Sequence, residues 1–207
     1  FDISWFDFFF KFEKLLFMAK ATLAGGCFWC TETLFSRLNG VLQVVPGYTG
    51  GHTKYPGYRE VCTGKTGHAE CVQLDYNPEK ISFISILEVF FDTHDPTTLN
   101  RQGADVGTQY RSGIYYHDEL QKIHAEKHID LLTKEKKFNY PIVTEIKAFD
   151  VFYNAEVEHI DYYNRNTNQP YCSAVISPKV LKLLNDHPSK LKWLMKYNDL
   201  KLIIAKN

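Results

Sequence analysis

Short apolar runs and amphipathic segments succeed one another along the chain, and each type predicts an element. Residues 20–26 form a mostly apolar run closed by two glycines, which predicts a buried strand ending in a tight turn. Apolar residues at helical spacing follow, so a helix is expected over 31–38. Cys27 therefore lies where a strand turns into a helix.

The same patterns recur to the end of the chain. We expect strands over 41–45, 70–76, 112–116 and 141–151, helices over 82–92, 118–136, 156–166 and from 179 onward, and an extended segment at 168–172. The order of strands and helices is irregular, and the sequence contains no repeat. This favours an α+β sandwich with a mixed sheet over a regular βαβ winding.

The strand over 70–76 carries a carboxylate on its apolar face. Glu70, Val72, Leu74 and Tyr76 share one side by the period of two. Loss of solvent at such a position raises the pKa of a carboxyl group, so Glu70 is a candidate general acid. A solvated strand end is the alternative, and the pattern alone does not separate the two.

The position of Cys27 suits a reactive thiol. Unpaired backbone N–H groups and the positive end of the helix dipole favour a thiolate at a helix start. Two glycines precede Cys27, and a second cysteine, Cys30, follows three residues later. Inert packing is the alternative for a cysteine among apolar residues, but these neighbours favour redox chemistry.

Charge and cysteine content narrow the class of protein. The 207 residues contain 24 Lys and Arg and 24 Asp and Glu, so a nucleic-acid or anionic-membrane partner bound by bulk charge is not expected. The five cysteines lack the spacing of a disulfide framework, which favours a reducing compartment, and we expect a cytoplasmic monomer.

The organisation expected is one domain with two tails. Residues 1–17 are aromatic but charged, too short to span a membrane, and precede Met18, so they are interpreted as a weakly ordered extension. Residues 18–178 are expected to form the catalytic domain and 179–207 a C-terminal helical tail. No linker-like composition divides the chain between them.

Six motifs in order give the chain a family resemblance. They are residues 26–29 (GCFW), 47–51 (GYTGG), 58–62 (YREVC), 66–70 (TGHAE), 94–96 (HDP) and 105–111 (DVGTQYR). Together they closely resemble the A-type peptide methionine sulfoxide reductases over roughly residues 20–178. The resemblance implies a two-layer, ferredoxin-like α/β plait with extra helices and long coil segments. It also implies repair of oxidised proteins by reduction of methionine S-sulfoxide, free or in proteins, with no bound cofactor and thioredoxin as reductant.

The resemblance also implies roles for the matching residues. Cys27 would be the nucleophile, and Glu70 with two tyrosine hydroxyls would hydrogen-bond and protonate the sulfoxide oxygen. The other implied site residues are Tyr58 and Tyr110 for the hydroxyls, Phe28 and Trp29 for the apolar wall around the methyl group, and Asp105 for orienting the substrate or the thiol.

The resemblance does not assign a single recycling thiol, because the chain departs from the family pattern at two places. Cys30 replaces a commoner glycine, and only Cys172 matches the first cysteine of a common C-terminal pair. Cys172 is the first candidate for the resolving thiol, since its segment is expected to be extended and mobile. Cys30 is the second candidate, and a Cys30–Cys172 disulfide that passes the oxidation outward is also possible. Cys62 and Cys71 are interpreted as structural.

Three rival functions remain open at this point. A zinc module would use Cys27, Cys30, Cys62 and Cys71, perhaps with His68, although the second pair has poor ligand spacing. A dithiol–disulfide oxidoreductase would use Cys27 and Cys30 at the helix start. A non-catalytic methionine-sulfoxide binding protein would have no need of both a nucleophile and an acid.

Overall fold

The computed structural model describes residues 18–193 together with Met195 and Asp199; the expected extension over 1–17 lies outside the described residues. The strands are β1 (Ala19–Gly25), β2 (Val41–Thr49), β3 (Ala69–Tyr76), β4 (Arg101–Gln102), β5 (Asp105–Val106), β6 (Ser112–Tyr116), β7 (Glu145–Ala148) and β8 (Phe152–Asn154). The helices are α1 (Phe28–Phe35), α2 (Tyr58–Cys62), α3 (Phe83–Thr93), α4 (Glu119–Lys134), α5 (Tyr162–Arg165) and α6 (Ser177–Asp186). Shorter helical turns are Thr108–Tyr110, Val157–His159, Cys172–Ile176 and Pro188–Lys190.

A six-stranded mixed sheet with the order β7-β6-β1-β3-β2-β8 forms the centre of the molecule. β6 and β7 pair in parallel, whereas the other neighbours in this sheet are antiparallel. β4 and β5 form a separate two-stranded hairpin. The predicted α+β class with a mixed sheet is confirmed.

The main core lies between one face of this sheet and the helices. Leu23 and Ile114 of the sheet, Phe35 of α1, Phe90 of α3 and Leu183 of α6 belong to one buried apolar cluster. A smaller cluster around Tyr115 covers the opposite face. No helix among the described residues is long and apolar enough to cross a membrane.

The segment before α6 differs from its prediction. The extended conformation expected over 168–172 is wrong, because Cys172 begins a turn of π-helix that continues into α6. Cys172, Ile176, Val180 and Leu183 are at most 1% exposed, and their spacing of three or four residues is helical. The apolar stripe of α6 therefore starts at an earlier residue than the sequence pattern predicts. The expected boundary between the catalytic domain and the C-terminal tail, at 178/179, lies inside this helix.

Three further elements end at residues other than those predicted, each for a physical reason. β2 continues past 45 to Thr49, because its second half pairs with both β3 and β8. The strand expected over 141–151 shortens to β7, where pairing with β6 is available. The helix expected over 156–166 is broken at Asp161, whose φ of 53° lies in the left-handed region.

A buried ion pair ties α1 to the end of the described chain. Arg37, which is 1% exposed, donates from Nε and Nη2 to the two carboxylate oxygens of Asp199, each at 2.7 Å. It also donates to the carbonyl of Thr33 at 2.8 Å and to Asn164 Oδ1 at 3.2 Å. This geometry satisfies both charges, and removal of one partner would leave the other charged in the core.

We expect Arg37→Met to lower the free energy of unfolding by about 3 kcal/mol, because it leaves the Asp199 carboxylate buried without a counter-charge. Urea denaturation of the purified variant measures the loss. In the double variant with Asp199→Asn, the combined loss should be smaller than the sum of the two single losses. Simple addition of the two effects would contradict the pairing.

Candidate functional site

A glycine turn places Cys27 at the start of α1. Gly26 has a φ of 86°, and a Cβ atom there would lie 2.5 Å from the Gln102 side chain. Only glycine fits this turn without strain. Cys27 occupies the N-cap position, and its side chain makes no capping hydrogen bond. The predicted strand-to-helix placement of Cys27 is confirmed.

Cys27 and Cys30 open into a common cavity of about 270 Å³. The cavity lies between the start of α1, the β4–β5 hairpin and the segment that leads into α6. Its other lining residues are Gln102, Gly103, Ala104, Asp105, Tyr171, Ala174, Val175 and Lys179. Residues with two thiols, one carboxylate, one phenol and one ammonium group thus line one cavity.

The two thiols of this cavity interact directly. Burial raises the pKa of Cys27 well above its ordinary value, and the hydrogen bond with Cys30 raises it further. Acceptance of that hydrogen bond is the main reason why the pKa of Cys30 falls to about 7. The helix N-terminus alone favours a Cys27 thiolate, but burial opposes it more strongly. In the unliganded site the negative charge is therefore favoured on Cys30.

Glu70 stands beside this pair, on β3. It is 1% exposed, and its Oε2 accepts a hydrogen bond from the backbone N–H of Phe28 at 3.1 Å. Burial raises the pKa of Glu70 to about 8, although the Phe28 hydrogen bond lowers it in part. Glu70 is thus largely protonated at neutral pH, and its predicted place on a buried strand face is confirmed.

The two predicted tyrosines lie near this carboxyl group. Tyr58 begins α2, and Tyr110 ends the helical turn before β6. Burial raises the pKa of both phenols, and the charge of Glu70 raises it further. Neither hydroxyl donates to Glu70 among the hydrogen bonds of the described residues; Tyr58 instead hydrogen-bonds Cys62.

Aromatic rings pack together at the start of α1, and Phe28 and Trp29 belong to different layers of this packing. Phe28 is 1% exposed and stacks on Tyr58, with ring centroids 6.2 Å apart. Trp29 is only partly buried and stacks on Tyr162 at 3.8 Å. Its Nε1 donates to His159 Nδ1 at 3.1 Å, which fixes the indole plane. Trp29 is therefore the accessible apolar surface and Phe28 its support.

Asp105 lines the cavity and is hydrogen-bonded there by Tyr171, a residue that the sequence interpretation missed. The Tyr171 hydroxyl donates to Asp105 Oδ2 at 2.7 Å. The oxygen of this hydroxyl lies 3.9 Å from Cys30 Sγ. It also hydrogen-bonds Cys27. Tyr171 precedes Cys172, but no motif singled it out. His159, Tyr162 and Lys179 were missed for the same reason, since each reaches the site only through tertiary packing.

The other cysteines have different environments. Cys172 is fully buried and does not line the cavity. Cys71 is fully buried and donates to the carbonyl of Gly47 at 3.4 Å, whereas Cys62 is exposed. Within the described residues, no group of three or more His, Cys, Asp or Glu side chains could hold a metal ion. The zinc alternative has no support in this arrangement.

Sequence comparison places most of the chain in one group of proteins. The family model described as "Peptide methionine sulfoxide reductase" matches residues 19–192. A relative from Saccharolobus solfataricus named "Peptide methionine sulfoxide reductase MsrA" is 54% identical over 175 residues, which cover 84% of this chain and 98% of the relative. One of the same name from Chromobacterium violaceum is 53% identical, with 80% and 94% covered.

Solved structures give the same result. Reduced Mxr1 from Saccharomyces cerevisiae superposes with a TM-score of 0.68 at 34% identity, covering 76% of this chain and 90% of that one. Methionine sulfoxide reductase A of Corynebacterium diphtheriae superposes with a TM-score of 0.66 at 33% identity, with 74% and 77% covered. The likeness therefore extends from sequence to tertiary structure.

Proposed function

The chain belongs to the peptide methionine sulfoxide reductase family and is a thiol-dependent reductase of methionine S-sulfoxide; on this premise we propose that Cys27 is its nucleophile and Glu70 its acid. One observation carries the assignment. The buried carboxyl of Glu70 hydrogen-bonds the amide of Phe28, the residue next to Cys27. An acid that is protonated at neutral pH is thereby held beside a thiol.

The acid is needed because a sulfoxide oxygen is a poor leaving group until it is protonated. Glu70, whose pKa of about 8 keeps it protonated, donates to that oxygen, and the hydroxyls of Tyr58 and Tyr110 hydrogen-bond it. Trp29, supported by Phe28, forms the wall for the terminal methyl group. Asp105 orients the substrate or the thiol through Tyr171, which contacts both thiols.

The reaction balances with the groups of this site. Oxygen passes from the methionine sulfur to the sulfur of Cys27, which is oxidised from thiol to sulfenic acid as methionine is released. The thiol proton ends on the transferred oxygen. Glu70 takes back the proton that it donated. A second thiol then attacks the Cys27 sulfur, so that a disulfide forms and water leaves.

We propose Cys30, rather than Cys172, as this second thiol. Cys30 shares a hydrogen bond and a cavity with Cys27. Cys30 is also the thiol of this pair on which negative charge is favoured in the reduced site, and a thiolate is the form that attacks a sulfenic acid. Cys172 was preferred on the sequence because of an expected extended segment, but its helical, fully buried position removes that reason.

The electrons that reopen a Cys27–Cys30 disulfide come from an external dithiol protein of the thioredoxin type, with no bound cofactor in the scheme. The hydrogen-bonded thiols at a helix start suit such exchange, which is also the observation that favours a dithiol–disulfide oxidoreductase as second candidate. Free and protein-bound methionine sulfoxide are both proposed substrates. The cytoplasmic location and the monomeric state stay predictions.

The ferredoxin-like plait is also part of this proposal. It is supported by the chain order β1-α1-β2-β3-α3-β6 and by the neighbour order β6-β1-β3-β2 in the sheet. We place the catalytic domain from residue 18 through α6, rather than ending it at 178. Val180 and Leu183 of α6 support this, because both belong to the main core.

One single-turnover experiment tests the scheme. Reduced enzyme without added reductant should release about one methionine from the S epimer of methionine sulfoxide and far less from the R epimer, which is the matched control. Peptide mapping of the product should find a Cys27–Cys30 disulfide. Folded, reduced enzyme that releases no methionine would exclude the reductase scheme, whereas release with a Cys27–Cys172 disulfide would overturn only the recycling route.

A further inference from the structure

Lys179 lies outside every motif of the sequence, yet its side chain reaches the cysteine cavity. It is carried by α6, in the segment interpreted as a C-terminal tail, and lines the cavity together with Cys27 and Cys30. The side chain is partly buried. Among the described residues Lys179 forms no ion pair, although Lys182 on the same helix pairs with Asp186 at 2.5 Å. Lys179 therefore brings a positive charge to the wall of the cavity that both thiols line.

The charged and titratable groups around Cys30 come from four different elements. Cys27 donates a hydrogen bond to its sulfur, which favours a thiolate, and the Tyr171 hydroxyl lies 3.9 Å from the same sulfur. Asp105 from the hairpin and Glu70 from β3 oppose negative charge on Cys30. The positive charge of Lys179 lowers the pKa of Cys30.

We propose that Lys179 is a positioning residue for the recycling step: its ammonium group holds Cys30 as the thiolate that attacks the Cys27 sulfenic acid. This role rests on the proposed recycling through Cys30. The Cys30 thiolate forms a bond to the Cys27 sulfur, and the S–O bond breaks with its electron pair leaving on hydroxide. Hydroxide takes a proton from solvent, Cys30 is oxidised, and Cys27 is reduced from the sulfenic to the disulfide state.

The need for a cation is specific to this step. While Cys27 is a thiol, its hydrogen bond is the main group that lowers the pKa of Cys30. Once Cys27 has become a sulfenic acid, its S–H no longer donates to Cys30, while burial continues to oppose a Cys30 thiolate. The charge of Lys179 does not depend on the oxidation state of Cys27. Its charge therefore matters most at the moment when Cys30 must attack.

The test compares Lys179→Met with Lys179→Arg, and uses Lys182→Met as the matched loss of a positive charge from the same helix. Rapid-quench single turnovers with S-epimer methionine sulfoxide, run between pH 6 and about 9.5, record methionine release and Cys27–Cys30 disulfide formation separately. We expect Lys179→Met to slow disulfide formation about three- to tenfold at pH 7, and to slow methionine release less. The midpoint of its pH profile should move upward, and its rate should approach that of the unmodified enzyme at the alkaline end.

Lys179→Arg should restore most of the rate, because the charge is kept, and Lys182→Met should behave like the unmodified enzyme. The proposal is overturned if Lys179→Met leaves disulfide formation unchanged, slows it equally at every pH, or slows both steps alike. It is also overturned if the disulfide formed is Cys27–Cys172. An unmodified enzyme that releases no methionine would instead contradict the proposed function itself, and this outcome is seen before any variant is compared.

Discussion

Replacing Cys27 by serine should abolish methionine formation, with a loss of at least about 10⁴-fold in rate, because a hydroxyl group cannot take up the sulfoxide oxygen as a thiol does when it becomes a sulfenic acid. Release of methionine from S-epimer methionine sulfoxide, with excess dithiol reductant, measures the loss. Cys71→Ser is the matched control. Its thiol is also buried, but it lies on the strand face opposite Glu70, and a serine hydroxyl can also donate to the Gly47 carbonyl.

The remaining cysteines separate the two steps of the cycle. Cys30→Ser should still release about one methionine per enzyme and then stop in the presence of a protein dithiol, because no partner thiol closes the disulfide. Cys172→Ala should continue to turn over, since the fully buried Cys172 is not needed in the proposed route. Continued turnover of Cys30→Ser, together with arrest of Cys172→Ala, would reverse the assignment of the resolving thiol.

Glu70→Gln should slow methionine formation by about 10²- to 10⁴-fold, the usual range for removal of a general acid. The glutamine side chain can still accept the hydrogen bond from the Phe28 amide, so the start of α1 should keep its geometry. Single-turnover methionine release gives the rate of the chemical step without interference from recycling. A loss below about tenfold would contradict the role of Glu70 as proton donor.

The pH profile adds a second, independent readout for Glu70. A raised pKa means that the acid is active below about pH 8 and is lost as the pH rises through that value. The unmodified enzyme should therefore show a descending limb near pH 8 that Glu70→Gln lacks. Glu32→Gln is the matched control. Glu32 lies on α1, and burial raises its pKa to about 7, but its carboxyl group does not line the cavity. Its variant should retain the limb.

The sequence predicted those elements in which the local residue pattern agrees with the tertiary contacts. β6 begins and ends where the sequence predicted, and Ser82 caps α3 through a hydrogen bond from the Ser85 amide at 3.1 Å. The alternation of β3 placed Glu70 on the apolar side of the strand, and the structure shows that this position is buried. These elements follow from side-chain period and capping chemistry, which depend on neighbouring residues alone.

Prediction failed where distant residues decided the conformation. Asp161 breaks an apparently continuous helix, and the backbone N–H of that residue is held by the buried Glu32 of α1, at 2.8 Å from Oε1. Cys172 was expected in an extended segment, but burial of its side chain in the core continues the helical stripe of α6. In both places a contact more than a hundred residues away in sequence outweighs local preference.

The sequence by itself determined the chemistry of this protein: a cysteine at a strand-to-helix turn, a carboxyl group on an apolar strand face, and six motifs in one order. Those features are local, so they can be recognised without knowing how the chain closes on itself. Only the tertiary structure decided which thiol lies beside Cys27, how strongly Glu70 is buried, and that Lys179 faces the same cavity. Proximity, desolvation and charge are properties of residues brought together from separate elements, and the spacing of residues along one chain does not encode them directly.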